Sequence, residues 1–242
     1  MQSLKPNPLD KFERIEIINL PSRRDRRRAV TAELLAIDTH IDDMRTSFLP
    51  AVRPEEPGQF DTIGARGCFL SHLAALEKAK LENVSSLLIL EDDVAFSASE
   101  RAQLNKTMEM LKHTPWDIFY GGSPVDANGN PLTKLAPDKP VLLAHFVAFS
   151  KDAIDTAVPY LQAMLARPAG SVDGGPMHVD GAYSWLRRDN PHLITLAATP
   201  AIAHQRSSAT DIHVRRGFDR VLILRGLLRL VRGLKNWRRS RY

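Results

Sequence analysis

Three adjacent acids, Glu91, Asp92 and Asp93, follow directly on the apolar run Leu87-Leu88-Ile89-Leu90. Carboxylates this close repel one another, and taking them out of water is costly. A divalent cation would relieve both problems. Oxygen ligands suit Mg2+ or Mn2+, and such an ion can hold a diphosphate and neutralise its charge as it leaves. The carboxyl end of a strand in an α/β sheet is also where a ligand crevice is expected. The plainer alternative is a helix cap, in which the acids stabilise the first turn of a following helix. The apolar run ahead of them favours the site.

Other residue types could join this chemistry. Arg23 and Arg26 lie in a run of five arginines, and guanidinium forks suit phosphate oxygens, although a solvated helix face would also explain them. Ser71 and His72 are neighbours; on a helix they point in different directions and cannot pair directly. Cys68 and His72, at i and i+4, could meet and imitate a thiol–histidine pair, but no oxyanion feature accompanies them. His204 could complete a coordination sphere begun by Asp93, since a neutral imidazole is a common metal ligand.

These residues need elements to hold them. Ile15–Leu20 is a short β-branched apolar run and reads as a buried strand, stopped by Pro21-Ser22. The spacing predicts helices over 23–37, 66–82, 99–113, 151–166 and 179–188. Strands are expected at 48–52, 85–90, 116–120, 145–150 and 193–198. Residues 124–140, rich in Pro, Gly, Asn and Asp, read as a long loop, and 169–176 as a mobile Gly/Pro stretch. Strands alternating with helices imply an α/β sandwich with a mainly parallel sheet.

The formal charge of +5 over 242 residues is a property of one segment. Residues 214–242 hold ten Lys or Arg and one acid, so they carry +9 and the remaining 213 residues −4. A chain that bound nucleic acid through its folded body would spread basic charge over it, so no nucleic-acid partner is expected. In 214–235, Leu224, Leu227, Leu228, Val231 and Leu234 form an apolar stripe beside Arg225, Arg229 and Arg232. That pattern suits an amphipathic helix lying on an anionic membrane. With a single cysteine, Cys68, an intrachain disulfide is impossible. The N-terminal residues lack the apolar core of a signal peptide, and a cytoplasmic protein peripheral to the inner face of the membrane is expected.

Several of these segments together resemble glycosyltransferase family 25, the lipooligosaccharide galactosyltransferase-like family. They are Ile18-Asn19-Leu20 with Arg23, Asp25 and Arg26; Gly67-Cys68-Phe69-Leu70-Ser71-His72; Leu88-Ile89-Leu90-Glu91-Asp92-Asp93-Val94; Phe146–Ser150; Asp180; and Pro200–Ser208. The resemblance runs from about residue 15 to 212. It implies a GT-A-like (Rossmann-like) fold, a UDP-sugar donor, a glycan or lipid-linked glycan acceptor, and inversion at the anomeric carbon. The Glu-Asp-Asp segment resembles the Asp-x-Asp metal motif of such enzymes, with Glu91 standing where the family has Asp.

On that resemblance, Asn19, Leu20, Arg23, Arg26, Ser71, His72, Glu91 and Asp92 would contact the donor. Asp93 and His204 would hold Mn2+ or Mg2+. An inverting transfer needs a base opposite the leaving diphosphate, and Asp180 is the candidate, with Asp173 behind it; capping of the helix at 181–188 is the alternative role for Asp180. The expected organisation is a catalytic domain over 1–213 and a basic tail over 214–242. The expected function is transfer of a sugar, galactose first, in lipopolysaccharide or lipooligosaccharide biosynthesis. Two other readings compete: a metal-dependent nucleotidyltransferase, which lacks its Gly-rich phosphate loop here, and a basic membrane-associated binding module.

Overall fold

The computed structural model describes residues 7–42, 44–125 and 130–206. In chain order its elements are β1 (Arg14–Asn19), α1 (Arg24–Leu35), β2 (Thr46–Pro50), α2 (Ile63–Leu81), β3 (Ser86–Glu91), β4 (Val94–Ala95), α3 (Ala98–Lys112), β5 (Ile118–Tyr120), β6 (Leu132–Leu135), β7 (Phe146–Ser150), α4 (Lys151–Ala166), α5 (Val179–Asp189), β8 (Thr195–Ala198) and β9 (His204–Gln205). The described residues up to Gln205 belong to one compact unit that ends there. The expected boundary at 213 and the tail 214–242 lie outside the described residues.

Seven strands form one sheet in the order β2-β1-β3-β7-β5-β8-β6. Five of them run one way; β7 and β6 run against them. The mixed, mostly parallel sheet flanked by helices is thus present. Side chains alternate across it, as the pleat requires. Leu87 and Ile89 of β3 pack with Phe69, Leu73, Ile154, Leu161 and Leu186 from α2, α4 and α5. Leu88 and Leu90 pack on the opposite face with Val30, Leu34, Leu104 and Met108 from α1 and α3. Burial on both faces explains why Leu87 to Leu90 of β3 are all apolar.

Local chemistry fixes where the helices begin. Thr62 caps α2 by accepting from the Ala65 N–H, and Ser150 caps α4 by accepting from Ala153. Helix α3 starts with a capping box in which Ser97 and Glu100 satisfy each other's backbone N–H. This removes the capping role from the acid triplet: Glu91 ends β3, and Asp92 and Asp93 form the turn into β4.

Two expectations change. Residues 124–140 are not all loop, because Leu132–Leu135 pairs antiparallel with β8 as the sheet's edge strand. The stretch around 169–176 is held rather than loose. Arg167 donates to the carbonyls of Asp173 (2.6 Å) and Gly174 (3.2 Å), and Gln59 accepts from Ala169 N–H (2.8 Å). Gly174, Gly175 and Pro176 are buried. At Gly174, φ is +82°, and an added Cβ would sit 2.9 Å from Trp185, so this glycine serves close packing.

Candidate active site

β1 and β3 are parallel neighbours with Ile18 opposite Glu91, so both strands deliver their carboxyl ends to one place. Asn19 ends β1 there. Its Nδ2 donates to Asp92 Oδ2 at 2.7 Å. The chain then turns sharply, with Arg23 N–H donating to the carbonyl of half-buried Leu20 (2.8 Å), and α1 begins above the strand ends. From its first turn Arg26 reaches Asp92 Oδ1 at 2.9 Å and Asp93 Oδ2 at 3.8 Å. Arg23 forms a two-pronged pair with exposed Asp25 (2.9 and 2.8 Å).

The three acids end up in different circumstances. Asp92 is buried, and both its oxygens accept hydrogen bonds. Asp93 accepts one bond on Oδ2, from Gln205 Nε2 at 3.0 Å; its Oδ1 is buried with no partner among the described residues. Burial first, and then the charge of Glu91, raise the Asp93 carboxyl to about 6. Burial pulls Glu91 upward most strongly of any single cause, but the hydrogen bonds from His72 and Cys68 and the nearby histidines together outweigh it and leave Glu91 below its ordinary value. An oxygen left bare inside a negative cluster is what a cation ligand looks like before the cation binds. Asp93 therefore fits Mg2+ or Mn2+.

Behind Glu91 stands the buried face of α2. His72 Nε2 lies 3.3 Å from Glu91 Oε1, and its Nδ1 lies 3.0 Å from the Tyr183 hydroxyl on α5. Cys68 Sγ is 3.8 Å from the same Glu91 oxygen. Burial pushes the Cys68 thiol well up, and the carboxylates of Glu91, Asp180 and Asp93 push it further. A thiol held neutral is no nucleophile, which disposes of the thiol–histidine imitation. Ser71 points elsewhere: its hydroxyl donates to the Gly67 carbonyl (2.6 Å) and accepts from Val52 N–H (2.8 Å). It secures the segment after β2 against α2. Gly67 permits that approach, because a Cβ there would lie 2.8 Å from the Val52 carbonyl.

Asp180 sits in the first turn of α5. Its Oδ1 accepts from Gly181 N–H (2.8 Å), and its Oδ2 lies at 3.4 Å from Leu143 N–H. The side chain thus does steady the helix start, while His178, at the cap position, makes no side-chain cap bond. The charge of Asp180 also helps to raise the Cys68 thiol and the Tyr120 hydroxyl. Exposed Asp173 is held through its backbone: its carbonyl accepts from the Arg167 guanidinium (2.6 Å) and its N–H donates to Ser171 Oγ (3.4 Å).

His204 is a correction. In the short ladder between β4 and β9, Ala95 faces His204 and Val94 faces Gln205. Neighbours on a strand point to opposite sides. Gln205 takes the side of Asp93, and exposed His204 turns to Glu100, with Nδ1 at 2.7 Å. The structure does not bring His204 to Asp93.

Three residues of this region escaped the sequence reading. Tyr183 orients His72 from another helix. His145 is buried against Gly122, where a Cβ would lie 2.2 Å from its Nε2, and its carbonyl accepts from Glu91 N–H at 3.0 Å. Burial lowers the imidazole's pKa, which favours its neutral form. Arg187, fully buried at the far end of α5, donates to the carbonyls of Ala136 and Lys139 and to Thr195 Oγ1 (2.8–2.9 Å). The signal for His145 was the Gly121-Gly122 pair after a strand; Tyr183 and Arg187 carried none.

The acid turn, with one carboxylate oxygen left open, lies at the carboxyl edge of a mostly parallel α/β sheet, where such proteins generally bind ligands. Residues 12–122 match the model of glycosyltransferase family 25 (LPS biosynthesis protein). The resemblance to glycosyltransferase family 25 is thus borne out over this segment. Inactive glycosyltransferase 25 family member 3 of Homo sapiens is 30% identical over 129 residues, covering 46% of this chain and 22% of the relative. Procollagen galactosyltransferase 2 of Homo sapiens is 29% identical over 140 residues, 50% of this chain and 22% of that one. Procollagen galactosyltransferase 1 of Danio rerio is 28% identical over 140 residues, 50% and 23%. The match thus spans less than a quarter of the length of each of these relatives. The crystal structure of A197 from STIV aligns at a TM-score of 0.40 and 13% identity over 80% of this chain and 85% of that one, a likeness too slight to weigh. Asp180 lies outside the matched segment, so its place rests on geometry. Among the described residues, no helix is long and apolar enough to cross a membrane.

Proposed function

We propose that the chain is a GT-A-type, metal-dependent, inverting glycosyltransferase that moves a sugar, galactose first, from a UDP-sugar to a glycan acceptor in lipopolysaccharide or lipooligosaccharide assembly. The observation that carries the metal-dependent part is the bare, buried Oδ1 of Asp93 among Glu91 and Asp92. The family 25 segment and the galactosyltransferases among its relatives support the choice of sugar transfer. Other relatives are named inactive, which makes a direct assay necessary.

In this reading Asp93 holds Mn2+ or Mg2+, which when bound neutralises charge on the departing diphosphate. Asn19 and Arg26 fix Asp92, and with it the turn that presents Asp93. Arg26 and Arg23 stand at the start of α1, where a diphosphate would find guanidinium and helix N-terminus together. Glu91, steadied by His72, faces the donor. Asp180 takes the proton from the attacking acceptor hydroxyl. The basic segment 214–242 would hold the enzyme near a lipid-linked acceptor at an anionic membrane surface.

The test is UDP binding by calorimetry with and without Mn2+, followed by UDP release across a panel of UDP-sugars. Mn2+ should tighten UDP binding in the wild type and not in Asp93→Asn, and one UDP-sugar should release UDP only in the presence of metal. Equal UDP binding in excess chelator would remove the metal from the reading. No UDP release from any UDP-sugar, even with metal and acceptor extracts supplied, would place the chain with the inactive relatives.

A further inference from the structure

We propose that Cys68, His72 and Glu91 form a second, distinct cation site, selective for a zinc-type ion, that clasps α2 to the end of β3. This goes beyond the transfer reading and does not depend on it.

Cys68 and His72 are one helical turn apart on the face of α2 turned toward the sheet, and Glu91 is the last residue of β3. Sγ and Nε2 approach the same carboxylate oxygen, at 3.8 and 3.3 Å, and the three potential ligand atoms all lie within 4.8 Å of one another. Ligands around a tetrahedral zinc ion, at bonds of about 2.0–2.3 Å, are separated by roughly 3.5 Å. The three atoms need to move little to receive it. A thiolate and an imidazole favour zinc over magnesium or manganese, which prefer oxygen. The site therefore differs in kind from the all-oxygen turn at Asp93.

Histidines that bind metal through one ring nitrogen have the other held by a hydrogen bond. His72 has that bond, at 3.0 Å from Nδ1 to the Tyr183 hydroxyl. Without metal, Nε2–H faces Glu91 and the Tyr183 hydroxyl donates to Nδ1. With metal on Nε2, the ring proton sits on Nδ1 and donates to the Tyr183 oxygen. The same heavy-atom arrangement serves both tautomers. The balance is simple: the thiol gives up its proton to solvent, the imidazole keeps one proton on the other nitrogen, and Glu91 enters ionised. One proton leaves for each cation bound. Cys68 and Glu91 are only partly buried, so an ion has a way in, while His72 and Tyr183 are fully enclosed.

The chain has one cysteine, which makes the experiment decisive. Purified full-length protein is titrated with Co2+ alone and the near-ultraviolet thiolate-to-cobalt charge-transfer band is followed. One equivalent should saturate the band, and Zn2+ should abolish it by displacement. Asp93→Asn should keep the band and Cys68→Ser should lose it. Tyr183→Phe should weaken cobalt binding by about 10–100-fold. No band at stoichiometric cobalt, or a band whose affinity ignores Tyr183→Phe, overturns the proposal. Should Cys68→Ser fail to fold, the wild-type band still decides, because no other thiol can produce it.

Discussion

Asp92 and Asp93 are neighbours in one turn, yet the fold treats them in opposite ways. Asp92 faces α1 and is buried between Asn19 and Arg26, with both oxygens bonded. Asp93 faces the β4–β9 ladder, accepts from Gln205, and keeps one buried oxygen bare. A saturated carboxylate holds structure in place. A bare one in a negative neighbourhood is suited to a cation, and it is the one the proposed transfer would use. The difference comes from direction, since adjacent residues in an extended turn project to different sides.

The sharpest way to break this contrast is catalytic. With a sugar donor identified, Asp93→Asn should lower turnover by about three orders of magnitude or more, because several kcal/mol of charge stabilisation on the leaving group is lost. The fold should survive, judged by an unchanged far-ultraviolet circular dichroism spectrum. Turnover within a few-fold of wild type would make Asp93 no different in kind from Asp92.

Asp180 tests whether the open side of the turn faces a second carboxylate with a separate task. Asp180→Asn should cut kcat by about 10²- to 10⁴-fold while UDP-sugar affinity stays nearly constant, because a base acts on the acceptor in the transition state. Steady-state kinetics beside donor titration separates the two quantities. If donor affinity collapsed and saturated turnover survived, Asp180 would be a donor contact.

The sequence made one side of this contrast easier to read than the other. Three acids after four apolar residues are a local signal, and so are β3 and α4, whose apolar patterns bury both faces of a strand or one face of a helix. The partners of those acids are not local. Asn19 and Arg26 come from the neighbouring parallel strand and the helix after it; only the family resemblance marked Asn19, and Arg26 stood out merely as one of five arginines. At β9 the choice between His204 and Gln205 hangs on a one-residue register, which flips each side chain to the other face. Chemistry favoured the histidine; the ladder gave the place to the glutamine. The edge strand β6 hid in a loop-like composition because it is half exposed and pairs on one side only. Tyr183 meets His72 across 111 residues, and Arg187 meets the Lys139 and Ala136 carbonyls across 48 and 51, distances over which spacing carries no information.

The closed side of the turn has its own test. Asp92→Ala leaves Asn19 Nδ2 and the Arg26 guanidinium without their main acceptor in a largely buried place. Removing one partner of such a pair costs about 3 kcal/mol or more. Urea unfolding should show a lower midpoint with an unchanged slope. Asp93→Asn, measured the same way at neutral pH, should not be destabilised, because no partner depends on its charge alone. Equal losses in the two variants would erase the distinction.

The smallest effect concerns acid, and it has an unusual sign for a carboxylate. The Asp93 carboxyl is raised to about 6 in the fold, chiefly by burial, so the folded protein holds this proton more tightly than the unfolded chain does. Between about pH 4 and pH 6 the folded state carries more protons at this site, and stability must fall as pH rises through that window. The stability that Asp93 supplies is fully present below its unfolded value and lost above about pH 6. Partial solvent access limits the total to about 2 kcal/mol. Other carboxylates titrate in the same range, so the quantity to measure is the difference in unfolding free energy between wild type and Asp93→Asn, from pH 4 to pH 8 in chelator. Wild type should lose ground to the variant by that amount as pH rises, and saturating Mn2+ should restore it by binding the ionised form. A difference that stays flat with pH would mean the carboxylate is already satisfied, and Asp93 would then join Asp92 as a structural residue.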